Sequence, residues 1–292
     1  MTMPDSSSSS LPRWLRPALW SVIGLSLSLI ALHVALYSPV LTMPDGWSFV
    51  LAPVVLLVIY AAIVLILPTL ARVTGGANAL QLGTRIGLVV AGVEALNISL
   101  ESLVAMPQAV TSAVTGILML TTFTLWAVTG FLGAYRSRSV RLGVLAAVWC
   151  SMVTMTLAVT FGYALLVVAW PRVTTFLATD LDFLRSHWSD LRAFTIANTL
   201  SNGAVHLLEA PLIALIVGGL GAVLGGWLAQ VRMASVAVAR RHLPLGAIAA
   251  ANQDTTRARE SVTRPTRRPW LLAAAVVALA PGPGAASCSS RR

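Results

Sequence analysis

Six mostly apolar stretches, each about twenty residues or longer, dominate the chain, and that is the length at which an α-helix crosses the hydrocarbon core of a bilayer. They cover residues 17–37, 50–71, 86–105, 109–135, 142–170 and 203–229. Backbone polar groups in lipid need partners within the protein, and a helix supplies them inside each segment. The expected fold is therefore all-α, a polytopic transmembrane bundle of about six spans over residues 13–229. Composition excludes the water-soluble alternative. The chain is 57% hydrophobic and 10% charged, with a mean hydropathy of +0.82, whereas soluble domains are about 25% charged.

The placement of charge orients the spans. All 20 basic residues are arginines. With both termini on one side, 17 of them fall on that side: Arg13, Arg16, Arg72, Arg85, Arg136, Arg138, Arg141 and ten in the C-terminal tail. Only Arg172, Arg185 and Arg192 fall opposite. Short loops rich in arginine stay in the cytoplasm, so the expectation is a bacterial cytoplasmic membrane protein with cytoplasmic N- and C-termini. Arg13 and Arg16 before an apolar run also resemble the start of a signal peptide. The run is longer than the usual apolar region and no small-residue cleavage site follows it, so it reads as a retained helix.

Outside the spans, residues 1–12 contain five consecutive serines and are expected to form a disordered tail. Residues 230–292 read as a basic, largely disordered cytoplasmic tail, opening with a juxtamembrane helix over VRMASVAVARRH. Its arginines suit anionic lipid headgroups. A nucleic-acid partner is not expected, because no aromatic-bearing soluble domain accompanies the positive charge. Residues 267–288 run from basic to apolar to small residues and Cys288, with an apolar core too short to span. Before the last span, within the outer segment 172–195, Leu177, Leu181, Leu184, Trp188 and Leu191 recur at helical spacing. They predict an amphipathic surface helix over 176–194 that turns Asp182, Arg185 and Asp190 to water.

Within the spans the acidic residues are Glu94, Glu101 and Glu209. Charge in a membrane usually faces a partner or a hydrated cavity. Glu94, Asn97 and Glu101 stand at i, i+3 and i+7, one face of the third helix. Asn198, Asn202, His206 and Glu209 form a second stripe leading into the sixth. Counted from the outer helix ends, Glu101 and His206 reach similar depth and are expected to pair, with Glu94 near the midplane. The bland reading of both stripes is interhelical hydrogen bonding. The sharper one is a binding or proton pathway formed by Glu94, Asn97, Glu101, Asn202, His206 and Glu209.

Pro211 removes a helical hydrogen bond and predicts a kink. Gly218, Gly221 and Gly225 predict close packing, with the fourth helix and its Gly116, Gly130 and Gly133 as the candidate neighbour. No phosphate-cradling loop, metalloprotease signature or nucleophile elbow occurs. Catalytic residues, metal ligands and cofactors are accordingly not expected. The two cysteines, Cys150 in an apolar run and Cys288 near the C-terminus, imply no disulfide framework. These features favour a permease or permease subunit with an outer-facing polar pocket for a small solute or proton. The competing expectation is a non-transporting scaffold or assembly subunit. Either would sit in the bilayer with a membrane protein partner or further copies of itself.

Overall fold

The computed structural model describes residues 14–104, 106–177, 181–186 and 188–242. The expected tails at 1–12 and from 243 onward, including Cys288, lie outside the described residues. Helices occupy Leu15–Leu36 (α1), Gly46–Val73 (α2), Ala77–Leu103 (α3), Gln108–Ser137 (α4), Val140–Val168 (α5), Trp170–Leu177 (α6), Leu181–Ser186 (α7) and Leu191–His242 (α8). A short 3₁₀ turn, Ser38–Thr42, joins α1 to α2. Among the described residues there is no strand. Six of the helices are long and apolar enough to cross a membrane. The chain is an all-α, multi-pass membrane protein.

Two spans reach well beyond the apolar runs that mark them. α3 begins at Ala77, because the stretch before Ile86 holds no proline and its one glycine, Gly83, is tolerated inside the helix where it packs on α5. α8 begins at Leu191 and continues to His242, so the second polar stripe and the juxtamembrane segment belong to one helix. The chain divides into two compact units, Met1–Met233 and Ala234–Arg292. The bundle lies in the first, and the described part of the second is the helical stretch up to His242.

The amphipathic stretch before the last span is divided, in place of one helix over 176–194. Residues 188–190 are non-helical between α7 and α8. Asp190, expected to face water, is half-exposed and held by its neighbours. Its Oδ1 accepts from the backbone N–H groups of Arg192 (2.8 Å) and Ala193 (3.0 Å), capping α8. Its other oxygen accepts the Tyr37 hydroxyl. The guanidinium of Arg192 lies 4.6 Å from the centre of the Tyr37 ring and 5.1 Å from that of Trp170. An end cap that needs a carboxylate outweighs the simple alternation of faces.

α5 forms the centre of the bundle. In its most apolar window 72% of residues are buried, against 22–33% in the other five spans, which are therefore the lipid-facing shell. Two pairs of parallel helices approach through glycines four residues apart. Gly83 and Gly87 of α3 sit against the carbonyls of Ala146 and Cys150 of α5, where an added Cβ would lie only 2.5 and 2.8 Å from those oxygens. On α8, Gly221 and Gly225 lie against the carbonyls of Ala127 and Phe131 of α4, and Gly218 against Gly130. Of the α4 glycines expected at this contact, Gly130 meets α8, whereas Gly133 packs on Gly143 and Ala146 of α5 and Gly116 has nothing near it. Without side chains at these points, backbones come close enough for dispersion and Cα–H···O contacts to hold helices together in lipid.

Candidate functional site

α3 and α4 form an antiparallel hairpin, and a polar seam runs between them. Glu94 of α3 accepts a hydrogen bond from the Thr122 hydroxyl of α4 at 2.6 Å. Glu101 accepts one from Thr115 at 2.7 Å. Both pairs are separated by seven residues on each helix, so they repeat one register: every second turn brings a carboxylate opposite a threonine. Thr122 is buried and is the fifteenth of the thirty residues of α4, which sets the Glu94–Thr122 pair at mid-span.

Asn97 lies between the two carboxylates on α3. It is 9% exposed, and its buried Oδ1 has no hydrogen-bond partner. On α4, one turn after Thr122, the indole nitrogen of Trp126 is likewise buried without a partner in a side chain 1% exposed. Unpaired buried polar groups cost about 1–3 kcal/mol each, so such groups normally find water or a ligand. An acceptor and a donor thus flank the central pair on opposite sides along the seam.

His206 of α8 stands within electrostatic reach of Glu94, as does Glu101. The expected Glu101–His206 pair is not formed, since Glu101 is held by Thr115 and no hydrogen bond or ion pair joins it to His206. The reason is the length of α8. With its start at Leu191, Gly203 no longer marks the end of the span, and a depth counted from that residue places His206 too near the helix end. Asn202, His206 and Glu209 share an exposed stripe of α8, beside the buried stripe of Gly203, Leu207, Ala210 and Ala214. The structure brings Glu94, Asn97 and Glu101 together with His206 near them. Glu209 and Asn202 make no hydrogen bond with that group.

No described group of three His, Cys, Asp or Glu side chains could hold a metal ion. No protein-family model, curated protein or solved structure matches the chain. The seam is therefore interpreted from its own chemistry.

Pro211 leaves the helix of α8 unbroken. Its missing N–H frees the carbonyl four residues earlier, that of Leu207, and the hydroxyl of Tyr60 on α2 donates to this oxygen at 2.7 Å. A second tyrosine, Tyr163 of α5, packs into the space left by Gly203. His33, an isolated histidine near the end of α1, is buried with its Nε2 3.1 Å from the Tyr163 carbonyl.

The sequence reading missed the threonine partners and the orphaned indole. One signal was available: Thr115, Thr122 and Thr129 are spaced by sevens on α4, matching the spacing of Glu94 and Glu101. Nothing comparable in the sequence marked Trp126.

Proposed function

We propose that the chain is a proton-linked permease, or the membrane subunit of one, in which Glu94 carries the proton at mid-span. The single observation that supports this reading most is the Glu94–Thr122 pair, flanked by the unpartnered Asn97 oxygen and Trp126 N–H. A carboxylate inside a membrane is expensive as an anion and far cheaper as a neutral acid. Thr122 can donate to the anion, and its oxygen can accept when the carboxyl is protonated. His206 offers a second titratable group close by, with Glu101 toward the outer end. Water reaching Asn97 and Trp126 would connect the central carboxyl to both sides in turn. The arginine distribution supports a bacterial cytoplasmic membrane, both termini cytoplasmic, and the Glu101 end of the seam facing out.

Proteoliposomes test this. Protein reconstituted with a pH-sensitive dye inside should admit protons down an imposed potential. Glu94→Gln should abolish that flux in a protein that still folds. Gly219→Ala, at a position with open space around it, should leave it unchanged. Equal flux in wild type and Glu94→Gln, or none in either, would contradict the proposal.

A further inference from the structure

At the opposite end of the hairpin from Glu101, the first turns of α3 and the last turn of α4 enclose a cleft of about 430 Å³. Arg85 and Gln81 of α3 line it, with Arg136 and Ser137 of α4 facing them and Leu142 of α5 closing one side. Two arginines from different helices share this cleft, and none of its lining residues is acidic. Like charges brought together repel, and here no carboxylate of the lining offsets them.

Depth gives the cleft a meaning. Arg85 lies nine residues from Glu94, about 14 Å along α3, and Arg136 fourteen residues from Thr122, about 21 Å along α4. Half the hydrocarbon thickness is about 15 Å, with the polar headgroup region beyond it. From a pair at mid-span, one guanidinium therefore reaches the hydrocarbon boundary and the other the headgroup layer. The α4 end also carries Arg138, which is exposed and does not line the cleft.

We propose that this cleft is a phosphate-binding site, in which Arg85 and Arg136 hold a phosphoryl group from two sides. Guanidinium groups match phosphate oxygens with paired N–H donors and give up hydration more easily than ammonium groups. Gln81 supplies a further amide donor. The ligand is either the headgroup of an anionic phospholipid or free phosphate, and both present the same oxygens. This site is independent of the proton pathway: it lies at the arginine-rich end and uses none of the seam's residues.

The test is native mass spectrometry of the full chain with added phosphatidylglycerol, set against thermal unfolding in detergent with inorganic phosphate. Wild type should retain phosphatidylglycerol over phosphatidylcholine, or be stabilised by phosphate, and the responding arm identifies the source. The Arg85→Gln, Arg136→Gln double variant should bind the responding ligand about tenfold more weakly or worse, whereas Arg138→Gln should match wild type. Each single Arg→Gln variant should weaken binding severalfold, which decides the matter should the double variant not fold. Undiminished binding in the single and double variants, an equal loss in Arg138→Gln, or no response of wild type to either ligand would overturn the proposal.

Discussion

Asp190 shows how one side chain can join an element end to its neighbour. Burial raises its pKa, but the Tyr37 hydroxyl, the N–H groups of Ala193 and Arg192 and the nearby guanidinium outweigh this and hold the carboxyl below its usual value. Tyr37 moves the other way: the bond to Asp190, burial and the carboxylate charge raise it against the pull of Arg192. A carboxyl whose folded pKa lies below its unfolded value stabilises the fold above the unfolded pKa, near 4, and loses that contribution as pH falls through the folded value. Asp190→Ala should therefore lower stability by about 1 kcal/mol at pH 7, the usual value of such a cap. The gap to wild type should narrow below about pH 4. Thermal unfolding of both proteins across that range checks the sign. The sequence spacing pointed Asp190 outward, because periodicity describes a face and carries no information on which aspartate will cap the next helix.

At the scale of elements, the glycine pairs are the fastenings. Gly221→Val should push α8 away from the Ala127 carbonyl and cost about 1–3 kcal/mol as an overpacking change, while Gly219→Ala, with nothing near it, should be neutral or slightly stabilising. Unfolding in detergent separates these outcomes. Pro211 makes a second, sharper case. Tyr60→Phe should cost up to about 1 kcal/mol and much less in a Pro211→Ala background, where the Leu207 carbonyl regains a backbone donor. An unchanged cost in that double-mutant cycle would mean the tyrosine is held by packing alone.

The six apolar runs and the α4–α8 neighbours were legible because hydropathy and small residues both report on single helices. Gly83 and Gly87 carry the same four-residue spacing, yet Arg85 between them disguised it as a loop-adjacent segment. For the same reason α3 began nine residues earlier than its apolar run. In the candidate site the carboxylate stripe was legible from its spacing. Its partners were not, since depth counts need helix ends and the end of α8 was misplaced by the polar residues before Gly203.

Across the whole bundle, successive spans alternate in direction, so the start of α1, the end of α2, the start of α3, the end of α4 and the start of α5 share one face. Arg16 bonds to Thr69 of α2 at 2.6 Å, and Arg232 of α8 to Tyr135 of α4 at 2.6 Å, both at that face. The arginine asymmetry thus coincides with the geometry of an up-and-down bundle. A periplasmic phosphatase fused after Gly46 should be active and one fused after Arg138 inactive, and the reverse pattern would invert the assigned orientation.

A proton pathway requires the seam between α3 and α4 to be a hydrated path and not merely glue between helices. Substituted-cysteine accessibility tests it on a background in which Cys150 and Cys288 are replaced. A water-soluble thiol reagent should modify Asn97→Cys at a rate within about tenfold of Asp45→Cys in the α1–α2 connection, because water entering the seam meets the unpartnered Asn97 oxygen. Val90→Cys, fully buried on the same helix, seven residues from Asn97 and beyond Glu94 toward the arginine-rich end, should stay unmodified. If Asn97→Cys proves as inert as Val90→Cys while Asp45→Cys reacts in the same folded preparation, the seam is dry and the pathway does not exist.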